Sequence, residues 1–408
     1  MNGIYGVTMM DIAEITSSSF GSVSLAVPVS SLTYCFGSLF FGWTFDYVNR
    51  QKGLAGCMVV SSLLTFAVPL CKTAEQFILS QALNGFVMAG IEVALHVWIL
   101  RIWNRESNAC LQSMHFCNSL GTGLMPVLSS FFLSTHVATG SASPDRNQLT
   151  TENQSGTRSL IIIPFGITAI IGLLSAGLIF LTSNAVDKEP DEKLEIAPAE
   201  TQENINSGKT VIIMSCFLIC FSTGVYLPTT TFLPHFLVFA DADISKSHAA
   251  FLTGLMIFAV ASSRAFFAII RISPKDVLCM ELAVLGGGIG VLVLCLSPHT
   301  VWLSVTLLGA GLGGCLPAIW SLVGQMVSVS SSIGGCLLFC SRVLPIVSSF
   351  VYSSFLQQYP TIFIWTNVLL YFMTCLTFVT LILLWNRSKN QSGALHRNHV
   401  GDESGGER

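Results

Sequence analysis

The stretch "GWTFDYVNRQKG", Gly42 to Gly53, lies between two apolar runs, and its reading decides the fold. Gly42, Asp46 and Arg50 recur at intervals of four, which stacks them along one face of a helix end and its turn. A glycine at such a place lets a neighbouring helix approach closely. The aspartate can accept hydrogen bonds from the backbone donors of another helix's first turn, and the arginine can pair with it or with lipid headgroups. The plainer alternative is a charged anchor at a membrane surface.

On either side the chain is strongly apolar. Only 10% of the 408 residues are charged and 52% are hydrophobic, against roughly 25% charged in a soluble domain. Runs of about 20 apolar residues, each enough to cross ~30 Å of hydrocarbon, lie near 20–45, 54–71, 76–103, 107–134, 160–182, 210–238, 248–271, 277–297, 301–327, 331–356 and 361–385. A shorter apolar stub occupies 1–10 and has neither the charged start nor the full apolar core of a signal peptide. The expectation is an all-α integral membrane protein with eleven full spans and a partial first helix. A net charge of −3 without a basic cluster argues against a nucleic-acid partner. Most of the thirteen cysteines sit in apolar runs, where cysteine is a small buried hydrophobe. No disulfide, metal centre, cofactor or enzymatic active site is expected.

The segment 183–209, "SNAVDKEPDEKLEIAPAETQENINSGK", is charged, proline-punctuated and poor in aromatics, and reads as a flexible linker. It divides a transmembrane half at 1–182 from a second at 210–386, and residues 387–408 read as a disordered tail. Thirteen lysines and arginines fall on the linker side of the alternating topology and four on the other. The linker and C-terminus are therefore expected in the cytoplasm. Asn153, in Asn153-Gln154-Ser155, is then on the opposite side, where a glycosylation acceptor must be. Plasma membrane and a monomer are the default expectations.

Few polar side chains interrupt the spans. In "AGIEVALHVWIL" (89–100), Glu92 and His96 share a helix face. A carboxylate at bilayer depth costs on the order of 2.5–3.5 kcal/mol and usually faces water or an ion path. Glu92 can be a coupling acid or sodium ligand, or a neutral packing group tied to His96. His115 and Asn118, three apart on the next span, suit either solute contact or hydrogen bonding at a glycine-rich interface. Tyr226 and Thr229 flank Pro228, which frees a carbonyl and suits a gate. Trp320 and Gln325, after "GAGLGGCLP" (309–317), combine an aromatic face with an amide, the pair a pyranose ring needs; packing is the alternative. Arg264 reads as a snorkelling structural arginine, and Glu281 as interfacial. Arg342, in "FCSRVLP" (339–345), is too deep to snorkel and is expected to face Glu92 or bound solute.

With its spacing, "GWTFDYVNRQKG" resembles the Gly-x-x-x-Asp-x-x-Gly-Arg loop signature of the major facilitator superfamily. Asn49 replaces the glycine, a substitution compatible with a left-handed turn. The six-plus-six layout agrees. "GVTMMDIAEIT" (6–16), "GIEVALHVWILRIWNRE" (90–106), "LQSMHFCNSLGTGLMP" (111–126) and "TGVYLPTTTFL" (223–233) resemble the branch of sodium-dependent glucose transporter 1 and major facilitator superfamily domain-containing protein 4, more distantly the fucose permeases. The resemblance implies a carrier of a small polar solute, a hexose such as glucose, working by alternating access with sodium or proton coupling at Glu92. Facilitative transport of another solute and a non-transporting paralogue are the alternatives. It also implies that most of the first helix is missing, and that Arg342 stands where the branch has an acid.

Overall fold

The computed structural model describes residues 11–18, 22–23, 25–103, 106–130, 149–186, 202–240, 246–294, 300–356 and 358–404, together with Thr8. Among the described residues, twelve helices of twelve residues or more are α1 Ala26–Thr44, α2 Arg50–Ala67, α3 Ala74–Trp103, α4 Ser107–Ser130, α5 Leu149–Val186, α6 Gln202–Phe239, α7 Lys246–Ile269, α8 Pro274–Leu294, α9 Thr300–Gly313, α10 Cys315–Met326, α11 Ser331–Phe355 and α12 Thr361–Ser404. Backbone groups at bilayer depth have no water to bond, so an apolar chain satisfies them within helices.

Nine helical stretches among the described residues are long and apolar enough to cross a membrane, with α9 and α10 together forming one of them. The sequence reading makes spans of α1 and α4 as well. Their polar side chains, such as Thr33 and Tyr34 on α1 and Gln112 and Ser119 on α4, bond to other helices instead of facing lipid. The α9–α10 span is 78% buried along its apolar stretch and α12 only 22%, which places the former centrally and the latter at the lipid face. Phe258, Phe350 and Leu383 belong to an exposed apolar skin suited to acyl chains.

Helices before the linker (α1–α5) and after it (α6–α12) meet along two seams. In one, α1 and α3 pack together and α1 packs on α11; in the other, α4 packs on α7 and α10. Glycines set the closeness. A Cβ on Gly42 would lie 2.9 Å from the Gly335 Cα, and one on Gly335 would lie 2.3 Å from the Ser38 carbonyl oxygen. Only two bare backbones fit there. In the first half, Ile12 and Ala13 of a short N-terminal turn are buried with Val68, Phe77 and Phe165.

Three expectations change at this level. Asn49 adopts φ −56°, not a left-handed conformation, because its side chain caps α2 by accepting from the Lys52 amide at 3.1 Å. Helix reaches Val186 and resumes at Gln202, so regular structure invades both ends of the 183–209 linker; residues 187–201 lie outside those described. The tail read as disordered continues α12 as helix to Ser404, since an existing helix propagates without a new nucleus. The partial first helix falls largely on residues 1–7 and 9–10, also outside those described.

Candidate functional site

Three helices converge on one half-exposed charge pair. Glu92, on α3, and Arg342, on α11, approach to 3.8 Å between Oε1 and Nη2, with side chains 28% and 21% exposed. Tyr34, on α1, donates its hydroxyl to the other Glu92 oxygen. The Arg342 guanidinium also lies over the Tyr34 ring, 4.3 Å from its centroid, a cation–π contact that strengthens away from water. Arg342 and Glu92 come from opposite sides of the linker, so their pair bridges the two halves. Three residues beyond Arg342, Pro345 deprives the Ser341 carbonyl of its helical donor and weakens α11 locally.

One turn along α3, His96 is buried, and its Nδ1–H donates to the Glu92 carbonyl at 2.8 Å. In the neutral ring this leaves Nε2 as an acceptor, and the Nε2–H of His115 meets it at 3.2 Å. Trp320 tilts across His96 with ring centroids 4.6 Å apart. The indole is completely buried and its Nε1–H has no partner among the described residues. In this structure the indole packs against His96 and is shielded from solvent.

Behind the histidines lies an arginine that sequence reasoning misplaced. Arg264 does not snorkel; it is 2% exposed. Its Nε donates to the Gly313 carbonyl at 2.8 Å, and Nη1 to the His115 carbonyl at 3.1 Å and to Ser119 Oγ. Nη2 reaches the Tyr226 hydroxyl at 3.3 Å. The cause is Pro317: lacking an N–H, it cannot serve the carbonyl four residues back, which is Gly313. Arg264 supplies the missing donor. Gln112 similarly donates to the Gly314 carbonyl at 3.1 Å. Glu281, read as interfacial, is buried next to this helix break and accepts from the Ser263 hydroxyl.

The opening motif forms a separate site at the linker end. Asp46 Oδ1 accepts from the Ser331 amide at 3.0 Å; Oδ2 accepts from the Ser332 amide at 3.2 Å and its hydroxyl at 2.6 Å. It thus caps the N-terminus of α11 from the other half. Arg50 Nε donates to Ser331 Oγ at 2.7 Å and lies 3.6 Å from Asp46. Burial alone would raise the Asp46 pKa, but the Ser331 and Ser332 donors outweigh it and hold the carboxyl below its ordinary value. Ser107–Ser321 at 3.0 Å, Asn108 to the Ile272 carbonyl at 3.2 Å, and Arg271–Glu106 at 3.2 Å close the second seam.

Not every predicted residue joins these clusters. Thr229 is buried and donates to Asn367 Oδ1 at 2.8 Å, tying α6 to α12. Asn118 and Gln325 are exposed and make no contact with the charge pair. Tyr226 belongs to the Arg264 cluster. Asn153 is in the first turn of α5, where side chains lie outside the described residues. Tyr34 and Ser119 were missed, because a tyrosine or serine in an apolar run gives no signal until its partner is known.

A family model described as Major Facilitator Superfamily matches residues 1–349. Mouse sodium-dependent glucose transporter 1A is 23% identical over 80% of this chain and 79% of its own length. The human sodium-dependent glucose transporter 1 is 22% identical over 80% and 65% respectively. Among solved structures, the transporter FucP in its outward conformation superposes with a TM-score of 0.72 at 15% identity, covering 94% of each chain. The proton:xylose symporter XylE bound to 6-bromo-6-deoxy-D-glucose gives 0.65 at 12% identity, covering 92% of this chain and 90% of that one.

Proposed function

Since the chain belongs to the Major Facilitator Superfamily of membrane transporters, we propose that it carries a small hydroxyl-rich solute of hexose size by alternating access, with a cation, sodium or proton, taken up at Glu92. The observation that carries this reading is the Glu92–Arg342–Tyr34 cluster, half-exposed and shared between the two halves. A charge pair at that depth is costly unless it faces a wetted path. Rocking of one half against the other would expose it alternately to each side. The names of the relatives, glucose transporters and sugar symporters, agree with a sugar-sized ligand.

Asp46, Arg50 and Gly42 would seal the linker end while the solute site is open to the opposite side. The excess of lysine and arginine on the linker side supports a cytoplasmic linker end; in this reading the membrane is the plasma membrane, with Asn153 outside and glycosylated. A monomer suffices, because both halves of the site lie in one chain. The test is uptake of labelled D-glucose by cells expressing the chain, with and without sodium and at varied external pH. Saturable uptake that falls without sodium or with rising pH supports coupled transport, and uptake indifferent to both removes the coupling. Absence of saturable uptake removes the carrier reading for this solute.

A further inference from the structure

We infer that the solute carries a carboxylate, Arg342 being the group that recognises it, and that its transport is electroneutral with one proton delivered to Glu92. This rests on the carrier reading above and narrows its substrate class from a neutral hexose to a hexose-sized sugar acid.

The argument begins with unspent donors. A guanidinium presents a planar fork of N–H groups matched to carboxylate. Among the described residues, that fork meets the Tyr34 hydroxyl and ring, and Glu92 only at 3.8 Å, longer than a hydrogen bond, which leaves most of its five N–H groups without a carboxylate. Glu92, by contrast, is well held by the Tyr34 hydroxyl. The pair is thus asymmetric: the acid has a hydrogen bond without the arginine, while the arginine, held by Tyr34, has no carboxylate within hydrogen-bond distance among the described residues. The side chain is partly exposed, 21% of its surface.

The second step concerns what rocking requires. Glu92 and Arg342 stand on opposite halves, so their separation must be compensated each cycle. Removing one partner from a partly buried ion pair leaves an uncompensated charge costing several kcal/mol. A neutral sugar cannot replace the carboxylate's charge; a ligand carboxylate can, bidentately and with shorter bonds. Glu92, released from Arg342 but retained by Tyr34, then takes a proton from the aqueous phase to become the neutral acid. Charge balances, since one anion and one proton enter together.

The other ionisable groups near the pair do not supply the missing charge. From α1 these are Tyr34 and Cys35, from α11 Cys340, from α3 itself His96, and from α4 His115. The two imidazoles are turned away, one into the Glu92 carbonyl and the other into its neighbour. α10 offers Trp320 at that level, and Arg50 of α2 is engaged with Ser331 and Asp46.

The experiment uses the purified full chain in proteoliposomes with labelled D-glucuronate and D-glucose, which differ at C6. The expected result is D-glucuronate uptake, driven by an inward proton gradient without added sodium and exceeding D-glucose uptake roughly tenfold or more. Arg342→Lys, which keeps the charge but loses the fork, should lower glucuronate uptake by about tenfold. Glu92→Gln should remove the acceleration of glucuronate uptake by the proton gradient; an acceleration equal to wild type overturns the inference. The double variant Glu92→Gln/Arg342→Gln removes both charges together, guards against a folding failure, and should lose the preference for the acid. Saturable D-glucose uptake that glucuronate neither competes with nor accompanies overturns the inference and leaves the carrier reading standing. Uptake of neither solute overturns both.

Discussion

At the scale of single residues, the buried polar groups divide by whether their donors are spent. Arg264 is committed to four acceptors on three other helices and accordingly acts as structure. Its replacement by alanine would orphan the Gly313 carbonyl within the bundle, at about 1–3 kcal/mol for an unsatisfied group, while the His115 carbonyl keeps the Ser119 hydroxyl. The expected outcome for Arg264→Ala is a clear fall in the thermal unfolding midpoint of detergent-purified protein, with correspondingly poor yield. A midpoint equal to wild type would mean that the arginine's contacts contribute nothing. Arg342 contrasts with it: held by Tyr34, it stands 3.8 Å from Glu92 and is partly exposed, the setting from which its ligand role is inferred. The depth of each arginine in its run already separates a structural Arg264 from an Arg342 facing Glu92; the acceptors that hold Arg264 away from the membrane surface are seen only in the folded chain.

At the scale of helices, the linker-end seal depends on α11 beginning against the α1–α2 turn. Asp46→Asn leaves the shape but removes the charge that favours a helix N-terminus, worth about 0.3–1 kcal/mol in exposed settings. The seal should loosen, seen as faster alkylation of a cysteine introduced at Ser332. The pH dependence has a definite sign. The folded carboxyl titrates below its free value, so its contribution is fully present above the ordinary aspartate range, near 3.9. It is lost only as pH falls through the depressed folded value. Wild-type protection at Ser332 in hydrogen exchange should therefore persist through mildly acidic pH; loss of protection near neutrality would contradict the assignment. Gly335→Leu tests the same seam sterically. Its Cβ would lie 2.3 Å from the Ser38 carbonyl oxygen, so the linker end cannot close, and uptake should be lost from protein that still reaches the membrane.

At the scale of the molecule, most of the helical order could be read from apolar runs, and the loop signature supplied the family. Those signals are local: twenty apolar residues declare a span wherever its neighbours lie. Two local rules nevertheless misled, at Asn49, where capping replaced a left-handed turn, and at the C-terminus, where polarity suggested disorder yet α12 runs on. The candidate site was legible in part. Glu92 and Arg342 stood out because charges are rare in such runs, whereas Tyr34, Ser119 and the buried role of Glu281 depend on which helices touch. The charge asymmetry of the loops makes a prediction for the whole chain. A C-terminal epitope should be stained in expressing cells only after permeabilisation, and Asn153→Gln should remove a glycan-dependent gel shift; surface staining of intact cells would invert the topology.

The helix break at Gly314 couples two distant codons. Pro317 creates the acceptor that Arg264 satisfies, so each residue gives the other its effect. With alanine at 317 the Gly313 carbonyl regains a backbone donor, and loss of the arginine should then be milder than with proline in place. The coupling energy from a double-mutant cycle should be about 0.5–3 kcal/mol. The order of replacement then matters: alanine at 317 first makes loss of the arginine cheaper than the reverse order.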